Sequence, residues 1–407
     1  MDNTSNKNDS YDYMRLSHIM TVCFGSPYTR KKIKPIDIPN EKSDVAGYRY
    51  SFDKRLLPVW VVYIILNLYI LYANYIAGIR YVGNSLQECF KESYCISVIE
   101  IINRNLGPTT YLISAVFYGS KYKIYSLAGT ERILTFLHET DHSVEMKKRK
   151  LSLITKIYSP IILCLYVCNI MLYSFRYPFF HIFLYSWNVM GLIAAFSLAQ
   201  FQYTIFEKGY ARINHIIEKK INSRDNPKLI NQLLIRLIDR YKELCTLVDY
   251  VNQSYVPDML LQWPYNIIRL VMTVFRMFEY LSVLYGSQSK VALLLLLQHV
   301  TDIILFILQN TFYCVVGSRL AIQAKKTLES LQRFNLQNDF NVSMNVKKTV
   351  RIFSIHVNAR NVEASVGGYI IMNMSFIRTL FSAVVTYTLV LIQFKNEKGN
   401  SKPLHIS

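Results

Sequence analysis

Seven mainly apolar stretches, several of them longer than 18 residues, constrain this chain more than any other feature. They lie at about 57–79, 95–118, 152–173, 179–205, 260–285, 291–315 and 368–394. A bilayer core needs about 20 apolar residues to cross as a helix. Lipid offers no water to unpaired peptide groups, so such stretches become helices whose hydrogen bonds close internally. Composition agrees: 52% of the 407 residues are hydrophobic and 18% are charged, where a soluble domain carries roughly 25% charged residues. The expected fold is an all-α polytopic membrane protein with seven transmembrane helices.

Lysine and arginine sort themselves by side. Segments 1–56, 119–153, 206–258 and 319–367 hold ten, seven, nine and eight of them, 34 in all, while the opposite connections and the tail hold 7. Cytoplasmic loops attract basic residues. The count therefore predicts a cytoplasmic N-terminus and an extracellular C-terminus, which is not the topology of a G-protein-coupled receptor. It also accounts for the net charge of +19 without a nucleic-acid partner. The start of the chain lacks a signal-peptide pattern, so the first span is expected to act as its own insertion signal.

Seven regions follow. Residues 1–56 form a cytoplasmic N-terminal region with a short amphipathic helix near 14–27, and 57–205 carry spans one to four. Residues 206–258 show apolar positions every three or four residues, as expected if the flanking spans run on into the cytoplasm and pack together, with a break at Asn226-Pro227. Spans five and six occupy 259–318, a second basic segment fills 319–367, the last span covers 368–394, and 395–407 are a short outer tail. Residues 119–153 read as a loop, in which His138 and His142 belong to a surface rather than a metal site.

No nucleotide, metalloprotease or serine-hydrolase motif is present, so the chain is not expected to be an enzyme and no cofactor is implied. Seven scattered cysteines show no metal-ligand spacing, although Cys89 and Cys95 are placed to form a small disulfide if their loop is extracellular. Span two carries Glu100, Asn103, Arg104 and Asn105, either as a buried acid–base pair or as a wet outer half. Span five is interrupted by Arg269 and Arg276. Span six has the densest polar set: Gln298, Asp302 and Gln309 approximate one face, with His299 and Asn310 beside it. These residues either glue helices together or line a water-filled ligand cavity. Tyr166, Tyr173, Trp187 and Tyr280 lie at depths suited to aromatic walls of such a cavity.

The last span ends oddly. Thr386 and Gln393 are seven residues apart, as are Tyr387 and Phe394, so each pair stacks along one stripe. Either Gln393 simply reaches the interface, or the helix lines a pore between subunits. Arg378 either snorkels to an interface or meets a buried acid.

Thr386-Tyr387, five residues, then Gln393-Phe394 resembles the C-terminal signature of insect gustatory receptors, relatives of the insect odorant receptors. The sequence FGSP at 24–27 resembles the region before that family's first span. The resemblance implies a tetrameric, tastant-gated non-selective cation channel in the plasma membrane of gustatory receptor neurons, as a homotetramer or a heterotetramer with related receptors. Its partners would be a small-molecule tastant and membrane lipid. Cytoplasmic helical extensions would form a central anchor, and each last span would line the pore. Gln393 and Phe394 would form the gate, with Thr386 and Tyr387 deeper and Val390 between them. The ligand pocket would lie in the outer half of spans two to six, making Asn103, Tyr166, Tyr173, Trp187, Tyr280, Gln298 and Asp302 its candidate residues. Sugar-sensing members tend to carry an acid after the Thr-Tyr pair, where this chain has Thr388. That favours bitter or plant-derived compounds, with fructose or another sugar as the alternative. A metabotropic seven-span receptor would need the opposite orientation, and a transporter would usually show internal repeats.

Overall fold

The computed structural model describes residues 28–32, 48–52, 121–139, 179–221, 226–287, 290–337 and 343–400, with further helical positions within 57–76 and 161–172 and at Thr109. Two strands, β1 (Tyr28–Lys32) and β2 (Tyr48–Phe52), pair antiparallel with Tyr28 opposite Phe52. Seven long elements follow: α1 (Lys121–Glu139), α2 (Phe179–Ile221), α3 (Pro227–Ser254), α4 (Val256–Ser287), α5 (Lys290–Gln337), α6 (Met344–Ala359) and α7 (Met374–Asn400). A small hairpin, β3 (Ser365–Val366) with β4 (Ile370–Ile371), precedes α7. The proposed amphipathic helix at 14–27, the Glu100–Arg104 pair and the Cys89–Cys95 pair fall outside the described residues.

Three boundaries differ from expectation. The loop expected at 119–153 contains helix α1, because Ser126, Thr130 and Ile133 form a buried face against α2 and α3. The helix that carries the sixth span does not end with that span near Val315. Helix α5 runs unbroken for 48 residues, about 72 Å at 1.5 Å per residue, more than twice the roughly 30 Å hydrocarbon core. The helix expected from Gly368 begins at Met374 and continues to Asn400. Gly367 and Gly368 have φ of 58° and 83°, left-handed values that glycine adopts at little cost, and they turn the chain into the hairpin. The Asn373 side chain then caps α7 by accepting from Phe376 N–H at 3.0 Å.

Among the described residues, the main hydrophobic core is centred on the extensions and reaches into the adjoining span ends through Tyr203, Trp263, Tyr313 and Leu380. Helix α3 starts where Pro227 follows Asn226, whose side chain accepts from Lys228 N–H at 3.1 Å. Its buried stripe, including Leu234, Leu237, Tyr241, Leu244, Val248 and Val251, meets Tyr210, Ile213 and Ile217 of α2 and Val346, Val350 and Phe353 of α6. The Tyr241 ring sits edge-on to both Tyr210, at 5.3 Å, and Phe353, at 5.6 Å. Such geometry matches positive ring edges to negative faces. Cys245 is buried in this cluster, and burial pushes its thiol above the ordinary range despite hydrogen bonding with Tyr210 and Tyr241.

The apolar windows of α5 and α7 are only 17% and 22% buried, where a core helix of a soluble protein would be mostly buried. Leu293 and Leu297 face outward, as lipid-facing residues do.

A buried asparagine joins the extension core to the root of α7. Asn252 Oδ1 accepts from Tyr203 Oη at 2.7 Å and from Ser365 N–H at 3.0 Å, and its Nδ2 donates to the Glu363 carbonyl at 2.9 Å. Its own carbonyl accepts from Gly367 N–H at 3.3 Å. Close by, Gly317 of α5 lets the Met372 carbonyl approach where a Cβ would collide. The Asn252→Ala change leaves the Ser365 N–H and Tyr203 hydroxyl without this acceptor, each worth about 1–3 kcal/mol when buried. Thermal melting of the detergent-solubilised protein should show a clear loss for Asn252→Ala and a much smaller one for Tyr203→Phe, which leaves Ser365 served. Equal losses would show that Asn252 does not organise the hairpin.

Candidate functional site

Helix α7 has two faces. Ile377, Leu380, Val384 and Thr388 are buried, and Leu391 is half-buried, at spacings of three and four residues. Val384 packs on Leu270 and Val271 of α4, with Ile303 and Phe306 of α5 and Leu391 closing the cluster. At the foot of the helix, Phe376 meets Trp263 of α4 edge-on at 4.7 Å.

The other, exposed side carries Arg378, Thr379, Ser382, Thr386, Tyr387 and Gln393, together with the apolar Val385, Leu389 and Val390. The first four of these, with Ala383 and Tyr387, line an open groove of about 600 Å³. The hydroxyls on this face are served by the helix itself: Thr379 donates to the Ser375 carbonyl at 3.2 Å and Thr386 to the Ser382 carbonyl at 2.9 Å. Back-bonding of this kind lets a hydroxyl reside in an apolar helix. The structure thus brings Thr386, Tyr387, Val390 and Gln393 to one side of α7. Phe394 lies within the helix, but its side chain is outside the described set. Thr388 points the other way, 3% exposed. The residue after the Thr-Tyr pair therefore belongs to the packing face and not to the groove.

A second constellation lies where the 161–172 helix, α4 and α5 meet. Asp302 Oδ1 accepts from Asn169 Nδ2 at 2.8 Å and from Arg269 Nη2 at 2.7 Å, and the Thr301 hydroxyl also accepts from Asn169 at 3.3 Å. A charge in an apolar span is expensive unless paired; here Arg269 and Asp302 expose 28% and 14% of their side chains and share three helices. Gln298 is buried one turn before Asp302, and its carbonyl accepts from Thr301 Oγ1 at 2.8 Å. Tyr280 stacks on His299 at 5.5 Å with planes 15° apart. Tyr166 is buried with Ile162 against Leu305.

Of the candidate pocket residues, Asp302, Gln298, Tyr280 and Tyr166 therefore lie on this meeting of helices. Asn103 and Tyr173 fall outside the described residues, and Trp187 lies in α2 with its side chain undescribed. Asn169 and His299 complete the arrangement, and only their polarity within spans could have flagged them. Arg269 and Asp302 were legible as one base and one acid in neighbouring spans, but not as a pair. Among the described residues no cluster of His, Cys, Asp or Glu could hold a metal ion.

Long helices with outward apolar faces and inward polar contacts define a polytopic, largely α-helical membrane protein. Its sequence matches the family described as 7tm chemosensory receptor over residues 48–398, and the chain belongs to that family of receptors. Its fold is similar to that of the insect olfactory receptor OR5 from Machilis hrabei, with a TM-score of 0.65 at 13% identity, covering 95% of this chain and 99% of that one. The structure of that receptor in complex with eugenol gives a TM-score of 0.63 at 13% identity, covering 94% and 98%. No curated protein matches the chain.

Removing one partner of a buried ion pair strands the other charge. Arg269→Met and Asp302→Leu should each destabilise the protein by about 3 kcal/mol. The double variant should recover much of the loss, read as surface expression and melting temperature. Additive losses in the double variant would show that the two side chains do not act as a pair.

Proposed function

We propose that the protein is a gustatory receptor acting as a tastant-gated, non-selective cation channel of the plasma membrane. The observation that carries this reading is the exposed polar stripe of α7. A stripe containing Arg378, Thr379, Ser382, Thr386 and Gln393 is unfavourable against hydrocarbon. It suits a water-filled path enclosed by several copies of the same helix. The Thr386-Tyr387…Gln393-Phe394 signature supports the gustatory branch, and four chains, alike or mixed with related receptors, would surround the axis.

In this mechanism the extension core holds the assembly together. The apolar spans move around it. A small molecule binding beside Tyr280, Gln298 and Asp302 shifts α4 and α5, which carry Leu270, Val271 and Ile303 against Val384 of α7. The Gln393–Phe394 end then turns away from the axis and the path wets. A bitter or plant-derived compound is the favoured tastant. That preference rests on Thr388, which stands where sugar-sensing relatives tend to carry an acid.

Recording from cells or bilayers containing this protein alone tests the reading. Tastants should evoke cation current, and water-soluble thiol reagents should block it in Thr386→Cys. Phe394→Ser should raise basal leak. G-protein signalling without current would overturn the channel assignment, and an unchanged leak in a well-expressed Phe394→Ser variant would remove Phe394 from the gate.

A further inference from the structure

We propose that Arg378 is an ion-selectivity residue that makes one mouth of the α7 path electropositive, admitting monovalent cations more readily than divalent ones. The inference rests on the reading that α7 lines a pore. Arg378 is exposed and lines the groove with Thr379, Ser382 and Thr386. Among the described residues no acid pairs with it, in contrast to Arg269, which meets Asp302, and Arg360, which meets Asp249. Among the described residues, its charge is therefore left uncompensated.

Position sharpens the argument. Arg378 lies four residues into α7, about 6 Å along the axis from Met374 and about 12 Å before Thr386. The positive end of the helix dipole adds to its field there. Between Arg378 and Gln393 the helix carries no other charged residue, so within this stretch the fixed charge sits at the N-terminal end. Several guanidiniums about 10 Å from a passing ion, partly screened by salt, disfavour a divalent over a monovalent cation by about twofold to tenfold.

The test uses the full-length protein in opened membrane fragments, which expose both mouths of the path to the reagents, and needs no tastant. Ser382→Cys places a thiol one turn from Arg378, and paired methanethiosulfonate reagents of opposite charge serve as probes. With Arg378 present, the anionic sulfonatoethyl reagent should react about twofold to tenfold faster relative to the cationic trimethylammonium reagent than it does once Arg378→Gln is added. Arg378→Lys should keep the wild-type ratio. An unchanged ratio in Arg378→Gln overturns the proposal, including the case where the variant alters only surface delivery, which would assign Arg378 to lipid phosphates. Thiols at both Ser382→Cys and Thr386→Cys that resist both reagents overturn the pore reading itself. Reactive thiols with an unchanged ratio overturn the role of Arg378 alone. In any variant that carries current, Arg378→Gln should also raise calcium permeability relative to sodium, and an unmoved permeability ratio overturns the proposal equally.

Discussion

The constraint on which the rest of this structure depends is that lipid supplies no hydrophobic force between helices. Leu293 or Leu297 gains little by leaving a hydrocarbon solvent for a neighbouring leucine. Cohesion must therefore come from elsewhere. The continuous buried cluster that supplies it runs from Tyr203 through α3 and α6 to Met372. Its helices are amphipathic and basic on the outside, as water-facing helices are. The apolar spans, in contrast, meet through small clusters such as Ile162–Tyr166–Leu305 and Leu270–Val271–Val384. Among the described residues, the large buried cluster is thus centred on the extensions and the smaller clusters lie in the spans.

Such a division needs a joint, and it is built from polar groups. Asn252 serves donors and acceptors from α2, the segment after α6 and the hairpin at once. A buried polar hub fixes geometry because each unmade bond costs more than a made one gains. The two left-handed glycines, the Gly317 approach and the Asn373 cap then set where α7 begins.

What was legible in the sequence was local. Span lengths, the Asn226-Pro227 break and the amphipathic stripe of α3 all express a periodicity or a capping rule that neighbouring residues reveal. The α7 stripe was legible for the same reason: a spacing of seven residues places Thr386 and Gln393 on one side whatever packs behind them. The hairpin is not legible in that way, because the boundary between the basic segment and the last span falls between Gly367 and Gly368, although two adjacent glycines are a turn signal. Helix α1 was missed because its Lys and Arg residues suggested a loop, while Ser126, Gly129, Thr130 and Ile133 formed the face that mattered. The Arg269–Asp302–Asn169 meeting joins residues 33 and 133 positions apart, and no single-sequence pattern reports that separation.

The polar residues of α7 and those of α5 are handled differently, and the difference bears on their roles. On α7, Thr379 and Thr386 satisfy their hydroxyls within their own helix, so the exposed face needs no fixed neighbour. On α5, Asp302 is satisfied only by side chains from two other helices. A self-sufficient face can turn or change neighbours without breaking a hydrogen bond, as a helix that moves during gating must. A cross-helix pair resists such movement and holds register. Arg378 is different: among the described residues neither its own helix nor a neighbouring acid satisfies it.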